Sequence, residues 1–451
     1  LFGVVACVPI GGRPVTRVLG IELRRSAAIG TAIIVLLAGA GLLYSLPDRW
    51  AAGWMPLAMM HREYLMLLWP AALAAGAWQA RREHRSHVAE LFASTARPRA
   101  QRMLPTLGAM GIAVGGAYLL AAAVAVPWMV DSVHYLPAAS LAVLAVGALA
   151  MIAAAWLGLA VGRLLPSPLT APALAIAGIG LIQVVPVALV RREWLALIVS
   201  PSHGMGQYTD YQTVSGRVSV AQAVWLVALA VAAAVLLASA GWRSRVAALL
   251  PAVLGFAVAV MIVPRGEFVA HPIDRVAQEQ VCAQGSPRVC ISRIHAGLLP
   301  EMVPPARQAL ALLGKLPDAP TTVEEDTYTF HPDTFPVWRA DTVRISVRVD
   351  KSGHLADRDW VVPELVGRAF RGPDDCDNGS ETVSRAAAAW LMGREPRPDH
   401  GITEEPEVNA KAVTLWQGLR RLPERQALAR VAAVHRAAVA CEKQDGLLTG
   451  G

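Results

Sequence analysis

The sequence predicts a mainly α-helical, polytopic membrane bundle of about seven spans, followed by an α+β domain outside the cytoplasm. Three observations carry that prediction. The 451 residues are 55% hydrophobic and only 17% charged, with a mean hydropathy of +0.43, which is too apolar for an ordinary soluble chain. The charges are gathered between long uncharged stretches. The cysteines beyond residue 264 form an even set of four.

The uncharged stretches run from Arg25 to Asp48, Glu63 to Arg81, Arg102 to Asp131, Asp131 to Arg163, Arg163 to Arg191, Arg217 to Arg243 and Arg245 to Arg265. Each can hold a helix of about 17–25 residues, the length that crosses roughly 30 Å of hydrocarbon. The expected spans are 26–46, 64–80, 104–129, 137–161, 168–190, 220–240 and 246–264. They leave 1–25 as an N-terminal segment and 265–451 as the external domain. The second span is short and contains Pro70, and the seventh contains Pro251; neighbouring helices can re-satisfy a backbone interrupted in this way. The pairs Gly111–Gly115 and Ala173–Ala177 permit close helix contacts. No Asp, Glu, Lys, Arg or His falls inside these spans, which argues against a proton-coupled carrier and for an energy source outside the bilayer.

Orientation follows from arginine placement. With the N-terminus in the cytoplasm, the inside segments hold thirteen arginines and the outside loops five: Arg49, Arg62, Arg191, Arg192 and Arg217. Residues 1–264 carry 18 basic and 8 acidic residues, a formal +10, whereas the tail carries 23 and 26, a formal −3. The pI of about 9.4 therefore belongs to membrane-flanking loops and not to a nucleic-acid-binding face.

Seven crossings leave the tail outside, where cysteines oxidise. Cys282 and Cys290 flank a Gly-Ser-Pro turn and read as a small disulfide loop, which leaves Cys376 with Cys441. Four cysteines allow three pairings, and free thiols or a metal site are the competing readings. Within the tail, "TVRISVRV" (342–349) alternates with Val343, Ile345, Val347 and Val349 on one face, as a half-buried strand does, and "DKSG" (350–353) follows as a turn. "TTVEEDTYTF" (321–330) reads as a second strand. Helices are expected over 304–314, 381–394 and 424–443.

The chain offers little local catalytic chemistry. There is no GxxxxGK[ST] phosphate loop, so ATP drive would have to come from a partner, and no Gx[ST]xG elbow. The tail histidines, His271, His295, His331, His354, His400 and His435, form no HExxH or other close metal spacing. No metal or cofactor is expected. The segment "RREHRSHVAELFASTARPRAQR" (81–102) is different. His84, Val88, Leu91, Phe92 and Thr95 fall on one helical face, with Arg82, Arg85, Ser86 and Glu90 on the other, and Pro98 ends the helix. A basic loop on the inner membrane surface explains the arginines; the apolar Leu91 and Phe92 suit a docking helix for a cytoplasmic partner.

These stretches resemble the membrane subunit, or permease, of an ABC transporter of the ABC-2 type, in the actinobacterial style. Residues 81–102 are similar to the family's coupling helix between the second and third spans, with Glu83 and Glu90 at its acidic positions. "VTRVLGIELRRSA" (15–27) resembles the amphipathic elbow helix before the first span. "RREWLALIVSP" (191–201), apolar but too short to cross, resembles the external re-entrant helices between the fifth and sixth spans. The resemblance covers about 15–245. It implies a permease dimer in the cell membrane, driven by a separate cytoplasmic ABC ATP-binding subunit, which would contact Glu83, Val88, Glu90, Leu91 and Phe92 and export an amphiphilic or apolar compound. The seventh span and the large external domain depart from the family's six-span core. They leave a second reading, a membrane-anchored extracytoplasmic sensor or enzyme whose tail is the active part.

Overall fold

The computed structural model describes residues 27–449, apart from 86–98, 207–208, 240, 330–336, 374–375, 377 and 398–405, together with residues 20, 22 and 23. The chain divides into two compact units. The first comprises residues up to Trp128 and Leu136–Ile273; the second comprises Met129–Tyr135 and Asp274–Gly451.

The first unit is helical. Its main elements are α1 (Ala28–Ser45), α2 (Trp54–Glu63), α3 (Leu65–Arg85), α4 (Arg99–Ala123), α5 (Ala138–Leu164), α6 (Thr170–Ala188), α7 (Glu193–Val199), α8 (Gly216–Ala238) and α9 (Leu250–Ile262). Among the described residues, six helical stretches are long and apolar enough to cross a membrane. They are Ala28–Ser45, Gln101–Met129, Ala138–Leu164, Thr170–Ala188, Gly216–Ala238 and Trp242–Ile262, and they match six of the seven expected spans. The remaining expectation, 64–80, is helical as part of α3 but is not one of the six. Its apolar stretch is cut short by Gln79 and Arg81.

The helices pair in a consistent direction. At the start of α1 the Ala27 amide donates to Gln79 Oε1 of α3 at 2.9 Å, and farther along Gly39 of α1 faces Leu68, so α1 and α3 run antiparallel. Gly39 also faces Ala121 of α4, and the Tyr44 ring meets Trp128 edge-on at 5.0 Å, so α1 and α4 run parallel. Trp156 Nε1 of α5 donates to the Leu107 carbonyl at 3.0 Å, and Gly147 lies against Tyr118, so α4 and α5 are antiparallel. Gly111 and Gly115, noted for their spacing, lie against Trp156 and Ile152 of α5. The tightest contact is between α3 and α5: Gly76 abuts the Ala155 carbonyl, Gly158 abuts the Leu73 carbonyl, and a Cβ on Gly162 would stand 2.6 Å from the Ala77 Cα. On α1 the side chains of Ile33, Ile34 and Leu37 stay exposed, an apolar face suited to lipid.

The second unit is built around a four-stranded sheet: β1 (Gln280–Cys282), β2 (Arg288–Ser292), β3 (Thr322–Glu325) and β4 (Thr342–Ile345), in that order. β1 and β2 form an antiparallel hairpin; β3 and β4 add in parallel. Helix α10 (Leu299–Leu313) provides the crossover from β2 to β3 that a parallel pairing requires. Four more helices follow: α11 (Arg358–Arg368), α12 (Glu381–Leu391), α13 (Pro406–Arg420) and α14 (Glu424–Val439). Val289, Ile291, Leu310, Val323, Val343, Ile345, Leu365, Phe370 and Val431 share one buried core.

The sequence-based strand face is correct, since Val343, Ile345 and Val347 are buried, but the regular ladder stops at Ile345. The expected 321–330 strand shortens to Thr322–Glu325. The helix expected at 304 begins at Leu299, because Pro300, not Pro304, sits in its first turn. In the 350–353 turn, Asp350 Oδ1 accepts from the Ser352 and His354 amides, and Val349 bridges Leu355.

Both expected disulfides are present, Cys282–Cys290 and Cys376–Cys441. The first joins directly opposed residues of the hairpin. The second closes a 65-residue separation, tying the α11–α12 connection to the end of α14; loop-closure entropy makes that worth about 4 kcal/mol. Gln444 reinforces it, accepting from the Ser380 amide and the Ser384 hydroxyl and donating to the Phe370 carbonyl.

Glu301, in the first turn of α10, gathers three donors: His354 Nδ1 at 2.7 Å, the Leu355 amide at 3.0 Å and Arg358 at 2.5 Å. Burial alone would raise its pKa, but the Leu355 amide, Arg358 and His354 together hold it below the usual value. A depressed carboxylate contributes stability above its unfolded pKa and loses it as pH falls through the folded one. Glu301→Gln is therefore expected to cost about 1 kcal/mol at pH 7 and less at pH 3, the exposed Arg358 and His354 limiting the size. Denaturant melts of both proteins at the two pH values check this.

Candidate functional site

The last turn of helix α2 carries two polar residues, His61 and Arg62, that are wholly buried. Read from sequence, Arg62 belongs to an external loop. The structure places it near the end of α2, within that connection, as a fully buried side chain. His61 Nε2 donates to the Tyr118 carbonyl at 2.9 Å and its ring lies 4.1 Å from the Tyr118 ring. Arg62 Nε donates to the Pro201 carbonyl at 3.0 Å, and Nη2 to Gln222 Oε1 at 2.7 Å. Gln222, on α8, passes the connection on by donating to the Leu197 carbonyl of α7 at 2.7 Å. The guanidinium thus pins α2, the end of α7 and α8 through neutral acceptors, and its Nη1 has no hydrogen-bond partner among the described residues. A charge buried in this way is expensive unless it organises its surroundings.

Beside this knot, at the ends of α6, α7 and α9, the first unit contains a cavity of about 500 Å³. Trp194, His203, Gly204, Arg265, Glu267 and His271 are among its walls. The 200–215 connection and the chain beyond α9 come together here: the Thr213 amide donates to the Pro272 carbonyl and the Ser215 amide to the Ala270 carbonyl. Gly204 sits at φ 71, and a Cβ there would stand 2.6 Å from His271 Cε1. Only glycine meets both demands. Arg265 lies over the Trp194 ring at 5.5 Å. His271 is 8% exposed and its Nε2 has no partner among the described residues. Burial, then the neighbouring His203 and Arg62, push its pKa down to about 4. Burial also lowers His203. At neutral pH the cavity therefore offers uncharged imidazoles and an aromatic wall between residues of both charge signs. That lining suits an amphiphile with a hydrogen-bonding head.

Most of the sequence-predicted coupling residues lie outside the described residues. Glu83 lies in the last turns of α3, while Val88, Glu90, Leu91 and Phe92, with most of the expected elbow helix, lie outside the described residues. The 191–201 segment forms the short helix α7, with Ala196, Leu197 and Ile198 buried. Among the tail histidines, His295 was not singled out by its spacing. Its Nδ1 lies 2.6 Å from Glu325 Oε1 and 3.2 Å from Ser292 Oγ, in a buried cluster where the Ser292 amide donates to Glu325 Oε2 at 2.7 Å. Serine and carboxylate meet the same imidazole nitrogen, so the cluster lacks the two-sided arrangement of a nucleophile–base relay. No group of three or more His, Cys, Asp or Glu side chains able to hold a metal occurs among the described residues.

Comparison with known proteins returns no matching family model, no matching curated protein and no matching solved structure.

A buried histidine with a lowered pKa destabilises the fold as pH drops, because the unfolded chain takes up a proton below about 6.5 that the native chain refuses until about 4. His271→Gln is therefore expected to flatten the decline in thermal stability between those values by up to about 3 kcal/mol. Melting curves of the purified full chain in detergent from pH 7.5 to 4.5 measure it; an unchanged slope would contradict the assignment.

Proposed function

We propose that the chain is the permease subunit of an ABC exporter of the ABC-2 type, carrying an amphiphilic or apolar compound and driven by a separate cytoplasmic ATP-binding subunit. The observation that carries the reading is the order of helix directions. α3 runs antiparallel to α1 along its length and parallel to α5, the relation of a helix that crosses between α1 and α4. Counted with the six strongly apolar helices, it makes seven crossings. The start of α1, the end of α3, the start of α4 and Arg163 at the end of α5 then share one face, Arg163 reaching Met103 Sδ of α4. That arginine-rich face takes the cytoplasmic side under the positive-inside rule. α3 ends and α4 begins on it, where a motor subunit would dock. Met129–Tyr135, in the α4–α5 connection, belongs to the disulfide-bonded second unit. Gly297 of that unit lies against the Ser132 carbonyl, and Tyr135 donates to Asp274 at 2.8 Å. Disulfides favour an oxidising compartment for this unit. The Trp194–His271 cavity lies near the outer ends of α6 and α9 and would serve as the last station for cargo.

The test is co-expression of the full chain with the ABC ATPases of its own genome, followed by affinity purification in detergent. A stable complex whose ATP hydrolysis depends on the chain is expected. Leu91→Asp combined with Phe92→Asp should lower recovery of the ATPase at least tenfold while leaving the elution profile of the chain unchanged. No ATPase retained by the wild-type chain, or full retention by the double variant, contradicts the reading.

A further inference from the structure

The cavity beside His271 is lined by two short charged sequences of the same form. "RRE" (191–193) leads into α7, and "RGE" (265–267) follows α9. Arg191 and Glu193 of the first and Arg265 and Glu267 of the second all line the cavity. Each sequence comes directly after a helix long and apolar enough to cross a membrane, Thr170–Ala188 and Trp242–Ile262. The four charges therefore stand where hydrocarbon gives way to lipid headgroups.

The two sequences are held together. Arg265 of the second lies over the Trp194 ring that follows the first. Leu197 of α7, Met205, Val263 and Ala270 share one buried core beside them. Among the described residues, neither Arg191 nor Arg265 has a carboxylate or carbonyl partner, and neither Glu193 nor Glu267 is in an ion pair. The guanidiniums keep their N–H donors and the carboxylates their acceptor oxygens. Exposed apolar side chains flank the same place: Val187 near the end of α6, Val190 beyond it, Met261 in the last turn of α9 and Phe268 after it. A polar cavity at headgroup depth, bordered by apolar side chains, matches an amphiphile with its head inside and its chains along the helices.

The lining discriminates among lipid heads. Two acids oppose a head that is only anionic, and two arginines oppose one that is only cationic, so the set suits a head carrying both signs. A quaternary ammonium would seek an open aromatic face, but Arg265 already occupies the Trp194 ring. A primary ammonium instead offers three N–H donors to carboxylates. His271 adds an independent observation: it lines the cavity, is 8% exposed, and its Nε2 has no partner among the described residues. A head rich in donors and acceptors offers the partner that nitrogen lacks.

We propose that this cavity binds the headgroup of a phosphatidylethanolamine-type phospholipid, with Arg191 and Arg265 on the phosphate, Glu193 and Glu267 on the ammonium, and the acyl chains against α6 and α9. Its volume, about 500 Å³, falls within the roughly 300–1,000 Å³ of pockets that hold small molecules. The assignment names a ligand class for the site that the transport reading makes the last station for cargo, and it rests on that reading only for the choice of the outer leaflet. Binding needs no ATPase, so a chain that recruits no motor would overturn the transport reading and leave this one standing.

The test uses the full chain in nanodiscs of phosphatidylcholine into which phosphatidylethanolamine is titrated. A carbodiimide joins an amine to the carboxylate it touches without a spacer, so the wild-type protein needs no substitution. Mass spectrometry is expected to find the lipid amide at Glu193 or Glu267, saturating as the lipid rises, and little at the exposed Asp48. Native mass spectrometry of the delipidated chain then compares affinities. Phosphatidylethanolamine is expected to bind roughly tenfold more tightly than phosphatidylcholine or phosphatidylglycerol, and Arg265→Gln with Glu267→Gln to abolish that preference. Arg217→Gln, in the first turn of α8 and not among the lining residues, should bind as wild type. Adducts at Glu193 or Glu267 together with a preference lost in the double variant support the site. Adducts spread evenly over the exposed acids, no adduct at either glutamate, no preference in the wild type, or an unchanged preference in the double variant overturns it.

Discussion

The first unit depends on the backbone-to-backbone contact of α3 with α5. At Gly76, Gly158 and Gly162 there is no room for a Cβ, so the two helices approach as closely as main chains allow. In a bilayer, where burying apolar side chains against each other gains little over burying them in lipid, such close packing is a principal source of helix association. It seats α3 in the middle of the bundle, with Leu65, Leu68, Ala72 and Ala77 buried. α1 and α6 then pack on α3, and Gly178 of α6 rests on Pro70 at the proline that interrupts it. A bulky residue at Gly158 would push α3 outward and disturb each of these contacts.

Polar groups divide the labour with this apolar packing. In the first unit a single buried guanidinium, Arg62, links α2, the 200–215 connection and α8 through neutral acceptors. In the second, Gln444 and the Cys376–Cys441 bond tie the last helix to the α11–α12 connection, and Glu301 ties α10 to the turn before α11. These groups specify which segments meet, because each would be left unsatisfied in a shifted arrangement. Non-directional burial could not impose that.

The parts legible in the sequence were those governed by local physics. Charges cannot sit in hydrocarbon, so the uncharged stretches marked six helices to within a few residues. Period-two alternation marked the buried face of β4, and a Gly-Ser-Pro turn between Cys282 and Cys290 marked the hairpin disulfide. What stayed hidden depends on residues far apart in sequence. The burial of Arg62 stayed hidden because its partners Pro201 and Gln222 lie 139 and 160 residues away. α3 looked weak because its membership rests on glycines of another helix and not on its own hydropathy. Helices α11 and α13, and the strands β1 and β2, were too short or too polar to stand out. The joining of Met129–Tyr135 to residues of the tail and the cavity beside His271 are likewise products of tertiary assembly. The docking residues Leu91 and Phe92 remain a reading from pattern and resemblance.

The central claim is that α3 is a seventh crossing, which fixes the side of every later connection. It can be tested by labelling intact cells with a membrane-impermeant maleimide, in a Cys7→Ser background, with single cysteines at exposed positions: Asp48→Cys, Asp131→Cys and Ser167→Cys. The account predicts that positions 48 and 131 react together from outside and that position 167 reacts only after permeabilisation. Labelling of 48 and 131 from opposite sides would contradict it.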